Sequence, residues 1–510
     1  MKSLKITASA LLVASAAAIL GGCNDDYSNV TGTVLVYKAD ELLPSVADTS
    51  DQTLYTGESD AVDPAIKKLA EVYDATHAQR VVATRPVAPA PRPAAPALDP
   101  PLASAEDIAA AKARVEELRG SVKTAKNGAI IGIVAESQDL NLEDMKLFGR
   151  LGDLESFACL GSNVTDELFA QFKDLKKLKS IRVQNSEITV ETLKLFSTFP
   201  ELESLDIRRD LKLENADLAL IPEFPKLTKL AAYYNSFTNS GVNKISKSTT
   251  LKSVDLRGCT DVSDSSAKYL ARMESLEEVY FRFYITNDGV DKLSAAPNLK
   301  FVEFQDCQID NGCAELFAKY PSLTGLRIFR SKGFTDDGIK GLANLKLERL
   351  ELRDLSASDA GVEALKDMDS LRSVELSELA VSPEAINALV SSPAWSNMQS
   401  LSFFSVPVPD STVKSIAENM KGLTSIKIQA AGDVTDAAID ELAKIETLTT
   451  IDLRDNAGFT AEGFMKLAKL KNLRKLYVKG TKFGDSSDAV QKLWEEFKKI
   501  NPKCQISIDG

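Results

Sequence analysis

The chain has 510 residues, 44% of them hydrophobic, and a formal net charge of −12 at pH 7. An acidic chain of this kind is a poor partner for nucleic acid or for an anionic membrane surface. Its one histidine, His77, leaves no means of assembling a Ser-His-Asp, Cys-His or multi-histidine metal constellation elsewhere in the sequence.

Residues 1–22 read as a leader. Lys2 and Lys5 form a short basic start, and Ile6 to Leu20 is an apolar, alanine-rich stretch too short for a comfortable membrane span. It ends in Leu20-Gly21-Gly22-Cys23. This segment resembles the lipobox of bacterial lipoproteins, in which the cysteine is acylated and the chain is cut just before it. The resemblance implies a lipid on Cys23 and anchoring to a membrane, since each buried CH2 contributes about 0.8 kcal/mol. Asn24, in the place where enteric bacteria read Asp as inner-membrane retention, favours the outer membrane within the cell envelope.

Residues 23–83 hold a predicted strand, Val30 to Tyr37, and a predicted helix, Asp63 to Gln79, with too little apolar content to indicate a core of their own. Residues 84–103 form a linker rich in proline and alanine: seven of the sixteen residues from Pro86 to Pro101 are proline. That composition favours extended polyproline II, which at about 3.1 Å per residue reaches roughly 50 Å. Residues 104–153 read as an N-terminal cap, with a helix from Ala105 to about Lys123 and a strand from Ile130 to Val134.

From residue 154 to 485 the chain repeats. Leu154, Leu178, Leu202, Leu227, Leu251, Leu276, Leu299, Leu323, Leu347, Leu371, Met398, Leu423, Leu448 and Leu473 each open the pattern L-x-x-L-x-L, at intervals of 23 to 27 residues. Fourteen units of fixed period indicate a solenoid, in which each unit buries its apolar face only against its neighbours. The first half of a unit alternates at period two and predicts a short strand. A polar turn follows, where Asn235, Cys259, Cys307 and Asn456 are placed to bond loop backbone. Next comes an apolar residue, then Thr or Ser and an acid, as in Val164-Thr165-Asp166 and Val434-Thr435-Asp436. The hydroxyl suits a helix N-cap and the acid suits the positive end of the helix dipole. Unit ten is long, with Pro383, Pro393 and Trp395, and is expected to bulge; Pro222 and Pro225 predict an irregular helix in the third. Residues 486–510 read as a C-terminal cap, whose helix, Asp488 to Ile500, places Trp494 and Phe497 over the last unit.

The pattern resembles the leucine-rich repeat family, in its cysteine-containing, ribonuclease-inhibitor-like style. The form Phe334-Thr335-Asp336-Asp337-Gly338-Ile339 is also similar to bacterial leucine-rich repeat lipoproteins. The resemblance covers about residues 129–485. It implies an α/β solenoid, curved, with parallel strands on the concave face and helices on the convex face. Five cysteines follow Cys23. Cys259 and Cys307 are two units apart, roughly 10 Å at 4.8 Å per strand, beyond the ~7 Å limit for a disulfide. All five are read as buried free thiols.

No phosphate-binding glycine loop, metal set or cofactor motif is present. Carboxylates are plentiful, so a carboxylate-based hydrolase is a remote alternative, but a stack of repeats offers no deep pocket to tune an acid. The concave face is the plausible binding surface. Four of its strands carry an acid and an arginine two residues apart: Asp206/Arg208, Asp255/Arg257, Glu351/Arg353 and Asp452/Arg454. Tyr233, Tyr280, Phe301 and Phe329 project beside Arg257, Arg282, Arg327 and Arg353. Aromatic and arginine side chains are the usual anchors of interfaces, although stacking within the sheet is the plainer use of such rings. The expectation is a lipid-anchored, non-catalytic scaffold for a protein or glycan; the second reading is a structural envelope component with no specific ligand.

Overall fold

A computed structural model describes residues 102–485 and 487–508. The leader with Cys23, the region 23–83 and most of the linker lie outside the described residues. Among the described residues seventeen strands form one sheet. In chain order they are β1 (Ser121–Thr124), β2 (Ile130–Ala135), β3 (Ser156–Leu160), β4 (Ser180–Gln184), β5 (Ser204–Arg208), β6 (Lys229–Ala231), β7 (Ser253–Asp255), β8 (Glu278–Arg282), β9 (Phe301–Gln305), β10 (Gly325–Phe329), β11 (Arg349–Arg353), β12 (Ser373–Ser377), β13 (Ser400–Phe404), β14 (Ser425–Gln429), β15 (Thr450–Asp452), β16 (Lys475–Tyr477) and β17 (Gln505–Ser507). β1 pairs antiparallel with β2, and from β2 onward each strand pairs in parallel with the next.

β3 to β16 each begin two residues after one of the fourteen anchors, so the repeats counted in the sequence are the strands of the sheet. The inward residues of the strands and one face of the intervening helices join in a single core that runs from Ala111 to Cys504. Packed helices lie 8–10 Å apart and paired strands about 4.8 Å. One helix per strand therefore needs the outer arc, and the sheet takes the concave side.

Three local devices recur. The seventh residue after each anchor is in the left-handed region, and only Gly161, Gly258 and Gly480 are glycine there. The next residue fills the loop. Asn235 donates to the Ile207 and Ala232 carbonyls, both at 2.9 Å, and Asn456 to those of Ile428 and Leu453 at 2.7 and 3.0 Å. Cys259 donates to the Ala232 carbonyl at 3.1 Å. The five described cysteines are free and buried.

The third device corrects the reading of the Thr-Asp motif. The acid does not act only on its own helix: it accepts from the N-cap residue of the next unit. Asp264 accepts from Thr286 N and Oγ1 at 2.9 and 2.8 Å, Asp166 from Thr189 at 2.9 and 2.7 Å, and Asp410 from Thr435 at 2.8 and 2.6 Å. This explains the glycine of the motif. A Cβ on Gly289 would stand 2.3 Å from the Asp264 carboxylate that fills the space.

Two other expectations change. The N-terminal helix is Ala105–Glu117, not a run to Lys123. Arg119 turns left-handed, and a Cβ on Gly120 would meet the Val134 carbonyl at 2.1 Å, so the chain doubles back as β1. Unit ten does not bulge. Pro383 opens a helix, Pro383–Val390, and the extra residues form a short 3-10 turn, Pro393–Asn397. That turn buries Trp395, whose indole donates to the Leu365 carbonyl at 3.0 Å, and β12 and β13 stay in register. The proline-bearing third unit does lose its regular helix, replaced by a 3-10 segment, Asp217–Glu223. At the far end, the helix Asp488–Ile500 seats Trp494 and Phe497 against Phe483.

Candidate binding surface

Alternation along each strand sends every second side chain out of the sheet on the concave side. Parallel, in-register pairing then sets like positions side by side: Asp255 opposite Tyr280, Tyr280 opposite Glu303, Glu303 opposite Arg327 and Arg327 opposite Glu351. The candidate residues Tyr233, Arg257, Tyr280, Arg282, Phe301, Arg327, Phe329 and Arg353 all stand on or at the ends of β6 to β11, within one stretch of this face.

They form a closed lattice. The Arg257 guanidinium binds Asp255 in its own strand at 2.7 Å and reaches two strands over to Glu303 at 3.2 Å. Arg327 lies between Glu303 and Glu351, at 3.1 Å from each. Glu303 is 1% exposed. Burial raises its pKa and the two guanidiniums oppose that rise. Rings fill the gaps between charges. Tyr233 is sandwiched by Arg208 at 4.4 Å and Arg257 at 5.7 Å, and the Tyr280 and Phe301 rings lie 5.5 Å apart. Arg353 stacks on Phe329 at 4.5 Å and on Phe404 at 5.6 Å.

Three of the four acid–arginine pairs expected within a strand form: Asp206/Arg208, Asp255/Arg257 and Asp452/Arg454. The fourth does not. Arg353 bonds Glu378 at 3.0 Å, while Glu351 is taken by Arg327 and Arg349. A guanidinium can reach the adjacent strand about as easily as its own, and here the cross-strand acids win.

The rings are also less open than alternation suggests. Tyr233 and Phe301 are 6% exposed, Phe329 2% and Arg282 6%. Concave curvature crowds the outward side chains, and these four are covered by their neighbours. Tyr280, Arg257, Arg327 and Arg353 remain half-buried and present edges to solvent. Sequence reasoning missed Tyr284, 50% exposed beyond the end of β8. The available signal was the spacing of 23 residues from Leu276 to Leu299, the shortest in the array.

Catalytic chemistry finds little support in these groups. Burial pushes the Cys259 thiol up to about 12 and that of Cys307 higher still, which keeps both protonated and inert. The central carboxylates are committed to guanidiniums.

A family model described as "Leucine Rich repeat" matches residues 247–271 and 444–468. No curated protein sequence matches the chain. Among solved structures, a chain of the yeast Rad7 and Elc1 complex is similar over 73% of this chain and 78% of its own, at 14% identity and a TM-score of 0.37. An internalin from Listeria monocytogenes is similar over 74% of this chain and 89% of its own, at 14% identity and a TM-score of 0.31. A leucine-rich repeat protein from Leptospira interrogans is similar over 73% and 95%, at 16% identity and a TM-score of 0.30.

Proposed function

We propose that this chain, a leucine-rich repeat protein, is a non-catalytic recognition module held at the cell envelope by a lipid on Cys23, and that it captures a protein or glycan on the concave face of repeats four to nine. One observation supports this above the rest: between β6 and β11 the face is a pre-ordered layer of rings and guanidiniums, with Tyr280, Arg257, Arg327 and Arg353 at its surface. Groups already fixed by their neighbours lose little rotamer freedom when a partner arrives, which is the main advantage of preorganisation. Tyr233, Phe301, Phe329 and Arg282 serve as the floor that holds the surface groups in place.

The floor residues are poor test positions, because replacing them damages packing. The informative variant is Tyr280→Ala combined with Arg353→Met. Full-length protein is to be offered envelope extract and purified cell-wall glycan, and bound material titrated to saturation. The expected result is a saturable partner whose affinity falls about tenfold or more in the variant, with the melting temperature little changed. A variant that captures as well as the parent would refute the concave assignment, and no saturable partner at all would favour a purely structural role.

A further inference from the structure

The ends of the strands carry a ridge that the concave reading leaves unused. The left-handed residue of each unit stands there, and the backbone ladder continues through it. Tyr234 N donates to the Arg257 carbonyl at 2.9 Å, Phe283 N to that of Gln305 at 3.2 Å, and Asp306 N to that of Phe329 at 2.8 Å. The conformation is shared by every unit and so belongs to the fold; the units differ in the side chain that it presents. Gly161, Asn185, Gly258, Ser405, Ala430 and Gly480 stand here in some units and Asp306, Asp354, Glu378 and Asp455 in others, whereas Arg209, Tyr234, Phe283 and Arg330 are the large or cationic side chains at this place, all between the third and eighth units.

These central side chains join in one line. The Arg209 guanidinium lies over the Tyr234 ring at 4.8 Å. That ring extends across Gly258, where a Cβ would meet it at 2.4 Å and where φ is +75°. The Tyr234 hydroxyl can therefore reach the next unit but one and accept from Arg282 Nη1 at 2.9 Å. Arg282 in turn lies 4.6 Å from the Phe283 ring, which stands 6.3 Å from that of Tyr284. In the units on either side the residue at the place of Tyr284 is buried in the loop, as Asp210, Asn235, Cys259 and Cys307 are. Tyr284 belongs to the shortest unit and faces solvent instead.

The charges on this line are unequal in their commitments. Arg282 and Arg330 both bind Asp306, at 2.7 and 2.6 Å. Arg209 has no carboxylate partner among the described residues and makes only its stack on Tyr234. The ridge thus offers one uncommitted cation and, three units away, an exposed ring backed by another ring and a clamped guanidinium.

We propose that this ridge docks a polypeptide partner that brings a carboxylate to Arg209 and an apolar side chain to Phe283 and Tyr284, about 14 Å apart at the spacing of paired strands. A neutral glycan would need free polar groups beside the exposed ring, and Arg282, Asp306 and Arg330 are engaged with one another. The docking rests on the recognition role proposed above but uses different side chains.

A displayed library of random dodecapeptides, selected on the full chain, tests it. Enriched peptides are expected to carry an acid and an apolar residue about four positions apart, since an extended chain rises about 3.3 Å per residue. Their affinity, read by fluorescence anisotropy, should fall about tenfold or more in Arg209→Met, in Tyr284→Ser, and when the peptide's acid is made an amide. The concave pair Tyr280→Ala/Arg353→Met should keep these peptides, so failure of the ridge and failure of the concave face are told apart. No enrichment, enriched peptides without an acid, affinity indifferent to both ridge variants, or Tyr284-dependent binding of chitohexaose in place of peptide would each overturn the proposal.

Discussion

Asp210 occupies the loop position that Asn235 and Asn456 hold in their own units, but it cannot do what they do. Each asparagine donates to carbonyls of its own and the preceding unit. Asp210 accepts from Ser186 N and Oγ at 2.8 and 2.5 Å through one oxygen, while the other, Oδ2, is buried without a partner. Burial pushes its pKa up to about 7, against the opposing bonds from Ser186. The folded chain therefore holds a proton that the unfolded chain releases near its ordinary value of about 4. Stability from this group is complete below that value and is lost as pH rises through about 7. Asp210→Asn restores the missing donors and removes the titration. Its melting temperature should exceed the parent's, by more at pH 8 than at pH 5, in a thermal denaturation series; equal shifts at the two pH values would show that Asp210 is not the titrating group.

The bond from each acid to the next unit's cap is what holds neighbouring helices in phase. Burial works against the charge of Asp166, and the bonds from Thr189 and Thr192 outweigh it, so its pKa lies below the ordinary value. Its contribution has the opposite sign to that of Asp210: present at neutral pH and lost on acidification. Asp264→Ala removes two bonds to Thr286 and leaves that N-cap's backbone donor open, at a cost of about 1–2 kcal/mol. Denaturant titration should show a lower midpoint; an unchanged midpoint would mean that water replaces the carboxylate without loss. The period, the strands and the cap residues of these units were legible from alternation and motif alone. The receiver of the acid's bonds was not, because it lies one whole unit along the chain and local pattern does not show across which gap a side chain reaches. The same limit hid the partner of Arg353. Exposure was misjudged for Phe329 and Tyr233 because alternation tells which face a residue takes and nothing of how curvature crowds that face. Trp395 shows the converse: its proline neighbours signalled irregularity, but only the packed core explains why the insertion folds inward.

On the scale of the whole molecule, the array is proposed to stand off a membrane on its linker, with Cys23 as the attachment. Expressed in a bacterium that processes lipoproteins, the parent chain should sediment with membranes and release into detergent. Cys23→Ser should pass to the soluble fraction with its repeats intact by circular dichroism, and equal distribution of the two would rule out acylation at that residue. Among the described residues, strand pairing and the bonds from acid to cap run to the adjacent unit, and even the longest side-chain bonds reach only the next but one. A load applied between the two ends of the described array therefore meets no strut spanning its length. It would be borne in series, with units peeling away singly from whichever end is weaker and re-zipping when slack returns, so the domain has the mechanics of an extensible spring as well as the geometry of a receptor.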